Sequence, residues 1–260
     1  MNTKNRIEEI QKNGYELDFS AVFNESFENY KKIAFNAGIV LILLSFVVVG
    51  IAIGITGIFW GSSSFVEKIG GFKIQNFSAL TLIVYILFFA ILSGLVSPIT
   101  AGILKIADLA QHNQEFSIAT AFEYYKGTFF KELFLSAILI ALISGGISTS
   151  IESFGIPFLG TLVTYFFSFF TFLTIPLIIF GNLKAIDAIK GSCLVVSKQF
   201  FLLMGLLLLA IIISSLGFLG FCIGIFFTLP FIYATLYCIY NAIFGTENRS
   251  ELDEIGFPLD

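Results

Sequence analysis

The chain has 260 residues and a formal net charge of −4. It is 57% hydrophobic and 12% charged, with a mean hydropathy of +0.94, whereas an ordinary soluble domain is about a quarter charged. That composition excludes a water-soluble enzyme, a secreted disulfide scaffold and a disordered chain, and a pI near 5.1 leaves no basic footprint for a nucleic-acid partner.

Residues 1–32 are polar and mix Lys4, Arg6, Lys12, Lys31 and Lys32 with six acids. A basic start running straight into an apolar core is missing, so a retained cytosolic segment is expected rather than a signal peptide. Within it, Phe19, Val22, Phe23, Phe27 and Tyr30 recur at helical spacing. This predicts an amphipathic helix lying in the headgroup layer with its aromatic face down.

Six apolar stretches follow: Ile33–Trp60, Ala79–Leu104, Leu133–Ser150, Pro157–Phe180, Phe200–Leu216 and Phe221–Phe244. Each is close to the roughly 20 residues that cross a bilayer as a helix. Helices are required because lipid offers the backbone no partner. The fold class is therefore all-α: a polytopic membrane protein with six transmembrane helices, arranged as three repeated helical hairpins with interfacial lead-in helices. The hairpins run over about 33–104, 133–180 and 200–244, and an acidic cytosolic tail covers 245–260.

Of the 14 Lys and Arg, all but Lys68 and Lys73 fall on one side of this arrangement. By the positive-inside rule both termini face the cytosol. The loops Gly61–Ser78 and Ile151–Ile156 then lie outside, with the turn near Gly217. The small-residue pairs Gly50/Gly54, Gly57/Gly61 and Gly220/Gly224 allow close helix approach. Packing within the chain is the simpler use, and dimerisation is the other.

An internal repeat supports the hairpins. Phe27-Glu28-Asn29-Tyr30-Lys31 before the first span matches Phe122-Glu123-Tyr124-Tyr125-Lys126 before the third in four of five positions. Leu194-Val195-Val196-Ser197-Lys198 before the fifth is a weaker copy. Lys31, Lys126 and Lys198 are thus candidate lipid-headgroup contacts, since a Lys beside an anionic leaflet gains about 1 kcal/mol. They also suit plain topology anchors.

The even spans share a second feature. Pro98, Pro176 and Pro230 each follow a Ser or Thr by one or two positions. Proline frees a carbonyl one turn back, and a nearby hydroxyl can take it up. The three prolines are candidate kinks or hinges, either moving or static.

Reactive chemistry is sparse. By these boundaries the spans hold no Asp, Glu or Arg, and only neutral polar groups such as Thr100, Tyr233, Tyr237 and Asn241. Lys105, Asp108, Glu132 and Glu152 sit at span edges. The single histidine, His112, reads as a solvated loop residue. It cannot build a metal centre or a Ser-His-Asp set. No phosphate-binding glycine loop occurs. No catalytic, metal or cofactor residue is expected. Cys193, Cys222 and Cys238 read as free thiols.

Leu17-Asp18-Phe19, Ser26-Phe27, Tyr30-Lys31, the hydroxyl-proline pairs, Leu229-Pro230-Phe231 and Tyr240-Asn241-Ala242 resemble the YciC-like group of six-span bacterial inner-membrane proteins. They are equally similar to the membrane domain fused to some glycerophosphodiester phosphodiesterases. The resemblance implies a multi-pass protein of the bacterial inner membrane. With 15 residues after Gly245, the fused phosphodiesterase activity is not expected. The function expected is a non-enzymatic role on the lipid envelope, with membrane lipid as partner. The alternatives are a channel or permease for an uncharged or amphipathic small molecule, or a membrane subunit served by a membrane or soluble protein partner.

Overall fold

A computed structural model describes residues 3–60, 78–220 and 223–245. Residues 61–77, the tail beyond Gly245 and Cys222 lie outside them, and with them the expectations for the first outer loop, the Gly57/Gly61 pair and the acidic tail. All regular structure among the described residues is helical. The described residues form ten α-helices: α1 Thr3–Asn13, α2 Phe19–Trp60, α3 Ala79–Gln111, α4 Phe130–Ser153, α5 Pro157–Thr171, α6 Thr174–Ile179, α7 Ala185–Lys198, α8 Phe200–Ser215, α9 Ile223–Thr228 and α10 Pro230–Phe244. Two 3-10 turns cover Ile118–Tyr125 and Leu216–Gly220.

Among the described residues six helical segments are long and apolar enough to cross a membrane: Phe19–Ile51, Ala79–Gln111, Phe130–Ser153, Pro157–Ile179, Phe200–Gly220 and Ile223–Phe244. Phe46, Phe158 and Phe201 are each more than two-thirds exposed. Such faces suit lipid, where an apolar side chain needs no burial in protein. The chain is a six-span, all-helical, multi-pass membrane protein.

Local sequence sets the ends. Asp18 Oδ1 accepts the backbone N–H groups of Ser20 at 2.8 Å and Ala21 at 3.0 Å, which starts α2. Ser78 caps α3 through the Thr81 amide. Gly14 and Gly155, at φ +72° and +85°, end α1 and α4 in a backbone region that glycine enters without strain. Pro157 opens α5 at a position where no amide is needed.

The first lead-in departs from expectation. It is not a separate interfacial helix, because α2 runs unbroken through 42 residues, about 63 Å at 1.5 Å per residue. Its aromatic face is turned partly to protein: Phe23, Phe27 and Tyr30 surround Phe231 of α10 at ring separations of 6.1, 6.3 and 5.5 Å, while Phe19 and Phe27 stay 38% and 43% exposed. Phe231 is 1% exposed. The rings share one face of α2, and α10 covers part of it.

Helix pairing also differs from three self-contained hairpins. α2 packs more extensively on α10 than on α3, and α3 packs chiefly on α4. α4 with α5 and α8 with α10 pair as the hairpins require. α10 is heavily buried, with Phe231, Ala234, Tyr237, Cys238 and Ile239 at 0–1% exposure. Gly38 lets α2 approach α9: a Cβ there would lie 2.8 Å from the Phe227 ring and 3.0 Å from the Phe226 carbonyl. Gly50 and Gly54, expected at a helix contact, meet no described atom within 4 Å. The tight glycine contact of the last hairpin is Gly224 on Gly217.

α1 lies across α7. Ile10 is fully buried, and Ile7 fills the space left by Gly191. Polar contacts hold it at both ends. Lys4 pairs with Asp187 at 3.0 Å. Arg6 Nε donates to the Ile243 carbonyl at 3.2 Å. Lys198 Nζ donates to the Gln11 carbonyl at 2.8 Å. The core thereby joins the N-terminal segment to α6, α7 and α10.

Candidate functional site

Three features carry the polar chemistry of the bundle: the proline turns, the lead-in lysines and a polar junction between α2, α3 and α10.

The proline turns differ from one another. α3 continues through Pro98. The carbonyl that Pro98 frees belongs to Gly94, and the Ser97 hydroxyl donates to it at 2.9 Å. The next carbonyl, Leu95, accepts from the Tyr125 hydroxyl. In the fourth span the helix stops at Thr171 and restarts at Thr174. Ser192 of α7 bridges this break: its hydroxyl donates to the Phe170 carbonyl at 2.8 Å and accepts the Leu173 amide at 3.2 Å. Thr174, the hydroxyl residue expected to serve Pro176, is buried without a hydrogen-bond partner. In the sixth span Leu229 separates α9 from α10, and Pro230 takes the first helical position. Each turn is therefore contacted by a segment preceding an odd span. Tyr125 reaches the Pro98 turn and Ser192 the Pro176 turn, while the α2 rings surround Phe231 beside Pro230.

Burial pushes the Tyr125 phenol above its ordinary range. The Tyr124 phenol goes higher still, through burial first and then the Asp108 and Glu123 charges. Tyr15 is likewise raised by burial. All three stay protonated over the physiological range. Tyr15 can thus donate to the Val195 carbonyl at 3.1 Å.

The lysines also diverge. Lys31 is exposed, pairs with Glu28 at 2.6 Å and sits 5.6 Å from the centre of the Phe27 ring. Lys126 is exposed at the end of its 3-10 turn, beside Phe122 and Tyr125, which are 40% and 37% exposed. Lys198 instead caps the last turn of α1 through Gln11. The second lead-in is a 3-10 turn packed on α3, so close that a Cβ on Gly102 would collide with the Ala121 carbonyl.

The polar junction was not assembled from sequence. Glu25 Oε1 accepts from Gln111 Nε2 at 2.9 Å and Asn241 Nδ2 at 3.2 Å. Asn29 is fully buried and donates to the Ala107 carbonyl at 2.8 Å and Gln111 Oε1 at 3.2 Å. One turn further, Asp108 takes Tyr237 at 3.1 Å and Lys105 at 3.0 Å. His112, expected to be solvated, is the residue that ends α3; its Nδ1 lies 2.9 Å from the Asp108 carbonyl. Glu132 holds the start of α7 by accepting the Ala185 amide at 2.8 Å, where a carboxylate meets the positive end of the helix dipole. Tyr237 and Asn241 were visible as polar residues in an apolar span, and Asp108 and Lys105 as edge charges. Nothing local paired them with Glu25, which lies 216 residues from Asn241.

Comparison with family models, with curated proteins and with solved structures finds no match. Among the described residues no three His, Cys, Asp or Glu side chains come together as metal ligands. A cavity of about 220 Å³ lies between α1 and α7, lined by Ile7, Leu183 and Leu194 with Lys4, Glu8 and Lys190 at its edge.

Proposed function

We propose that this protein works on, or organises, the lipid of a bacterial inner membrane without itself being an enzyme. The observation that carries the reading is the recurrence of an exposed Lys beside exposed aromatic rings, Lys31 with Phe27 and Lys126 with Phe122 and Tyr125. Aromatic rings with adjacent cations are a pattern of the membrane–water interface. The Lys and Arg distribution supports cytosolic termini, and the matched sequences of the first two lead-ins support a repeat along the chain. Membership of the YciC-like group belongs to the same reading.

Native mass spectrometry of the protein released in mild detergent tests it. One phospholipid class retained at fixed stoichiometry, and reduced by Lys31→Glu with Lys126→Glu, is the expected result. A bare monomer overturns it. A stoichiometric protein partner without lipid assigns the activity to a complex.

A permease for an uncharged or amphipathic molecule is the second reading. The interruptions at 172–173 and at Leu229 favour it, because discontinuous spans recur in transporter folds. Solute flux in liposomes would establish it.

A further inference from the structure

We infer that Glu25 and Asn29 form a binding site for one small monovalent cation, such as sodium, where α2, α3 and α10 meet. The argument starts from hydrogen-bond direction. A carboxylate only accepts, so Gln111 must turn its Nε2 toward Glu25 and its Oε1 toward Asn29. Asn29 then faces two acceptors, Gln111 Oε1 and the Ala107 carbonyl, and must give both its Nδ2. The chain of amides is fixed from Glu25 outward, and it ends on Asn29 Oδ1. That oxygen is buried with no hydrogen-bond partner, on a side chain that is 0% exposed.

Charge is the second, independent observation. Glu25 Oε1 accepts from two amide N–H donors, and neither donor carries a positive charge. Among the described residues no Lys, Arg or His pairs with it. The neighbouring cations are engaged elsewhere: Lys32 donates to the Ala110 carbonyl and Asn113 Oδ1, and Lys105 to Asp108. Glu25 and Asn29 stand one turn apart on the same face of α2, so side chains at this spacing are neighbours. The site thus offers a carboxylate oxygen and a neutral amide oxygen, and among the described residues no cation pairs with the carboxylate. Oxygen donors suit hard cations, and a single carboxylate balances a single positive charge. A water could satisfy the orphan oxygen but would leave the charge.

The test is thermal unfolding of the full chain in mild detergent, with NaCl, KCl or choline chloride at equal ionic strength. The wild-type midpoint should rise saturably as sodium replaces choline, because a ligand that binds only the folded state stabilises it. Glu25→Gln keeps an oxygen for both amide donors, and it should weaken the sodium response at least about tenfold. Sodium-23 line broadening on the wild-type protein reads the same binding without any variant. Equal melting in sodium and choline with no broadening overturns the site and leaves a water on Asn29. A Glu25→Gln protein that responds like wild type overturns it as well.

Discussion

Thr228 and Ser214 exchange hydroxyl hydrogen bonds across the last hairpin. The Thr228 hydroxyl donates to the Ser214 carbonyl at 2.6 Å, and the Ser214 hydroxyl donates back to the Thr228 carbonyl at 3.1 Å. This ties α8 to α9 two residues before Pro230. Interhelical polar pairs in membranes average about 0.6 kcal/mol, with a maximum of about 1.7. Ser214→Ala and Thr228→Val should each destabilise by an amount in that range, read from denaturation in detergent, because each hydroxyl bonds the other residue's backbone carbonyl, which the partner substitution leaves in place. No loss in either variant would contradict the exchange.

Glycine contacts give a paired prediction. Gly102 faces the Ala121 backbone, whereas Gly50 meets no described atom. Alanine is favoured over glycine in a helix by about 1 kcal/mol. Gly50→Ala should therefore be neutral or mildly stabilising. Gly102→Ala should destabilise by about 2 kcal/mol or more, since backbone must move to admit the methyl group. Equal effects at the two positions would contradict the packing of the 3-10 turn on α3.

Much of this arrangement was written in the sequence, and the reason is specific. Lipid imposes long apolar runs and helical backbone, so the spans announced themselves. Proline chemistry is local, which is why the Ser97 bond to Gly94 was foreseeable from two adjacent residues. The aromatic stripe from Phe19 to Tyr30 fixed a face but not a partner, because rings suit a lipid surface and the Phe231 pocket equally. Ser192 at the Pro176 turn could not be found, since it comes from a different helix and displaces the neighbouring Thr174. The Glu25 junction joins residues from three helices, and no spacing rule links them.

Cys193 offers a pH test. It is half-buried on α7, and burial raises its thiol above the ordinary range, with a backbone hydrogen bond opposing in part. Only the thiolate reacts. Below a thiol's pKa the thiolate fraction rises about tenfold per pH unit, and an unperturbed thiol levels off near about 8.5. Maleimide labelling of Cys193 in a Cys222→Ser protein should be slow at neutral pH and still climbing at pH about 9. A plateau near the ordinary value would mean that the thiol is solvated. Cys238, fully buried, should label only on unfolding.

Lys198 separates a lipid contact from a structural one. Its ammonium group donates to the Gln11 carbonyl at 2.8 Å, near the negative end of the α1 dipole. Gln199 reinforces the same junction by donating Nε2 to the Tyr15 carbonyl at 2.7 Å. Lys198→Met keeps most of the aliphatic stem and removes the charge. Residues 3–13 should then exchange amide hydrogens faster, because α1 loses one of the contacts holding it on α7. Lipid retention should stay at the wild-type level, while Lys31→Glu with Lys126→Glu lowers it. If Lys198→Met sheds lipid and leaves α1 protected, its ammonium group serves the bilayer instead, and Tyr15 with Ile10 suffices to dock the N-terminal helix.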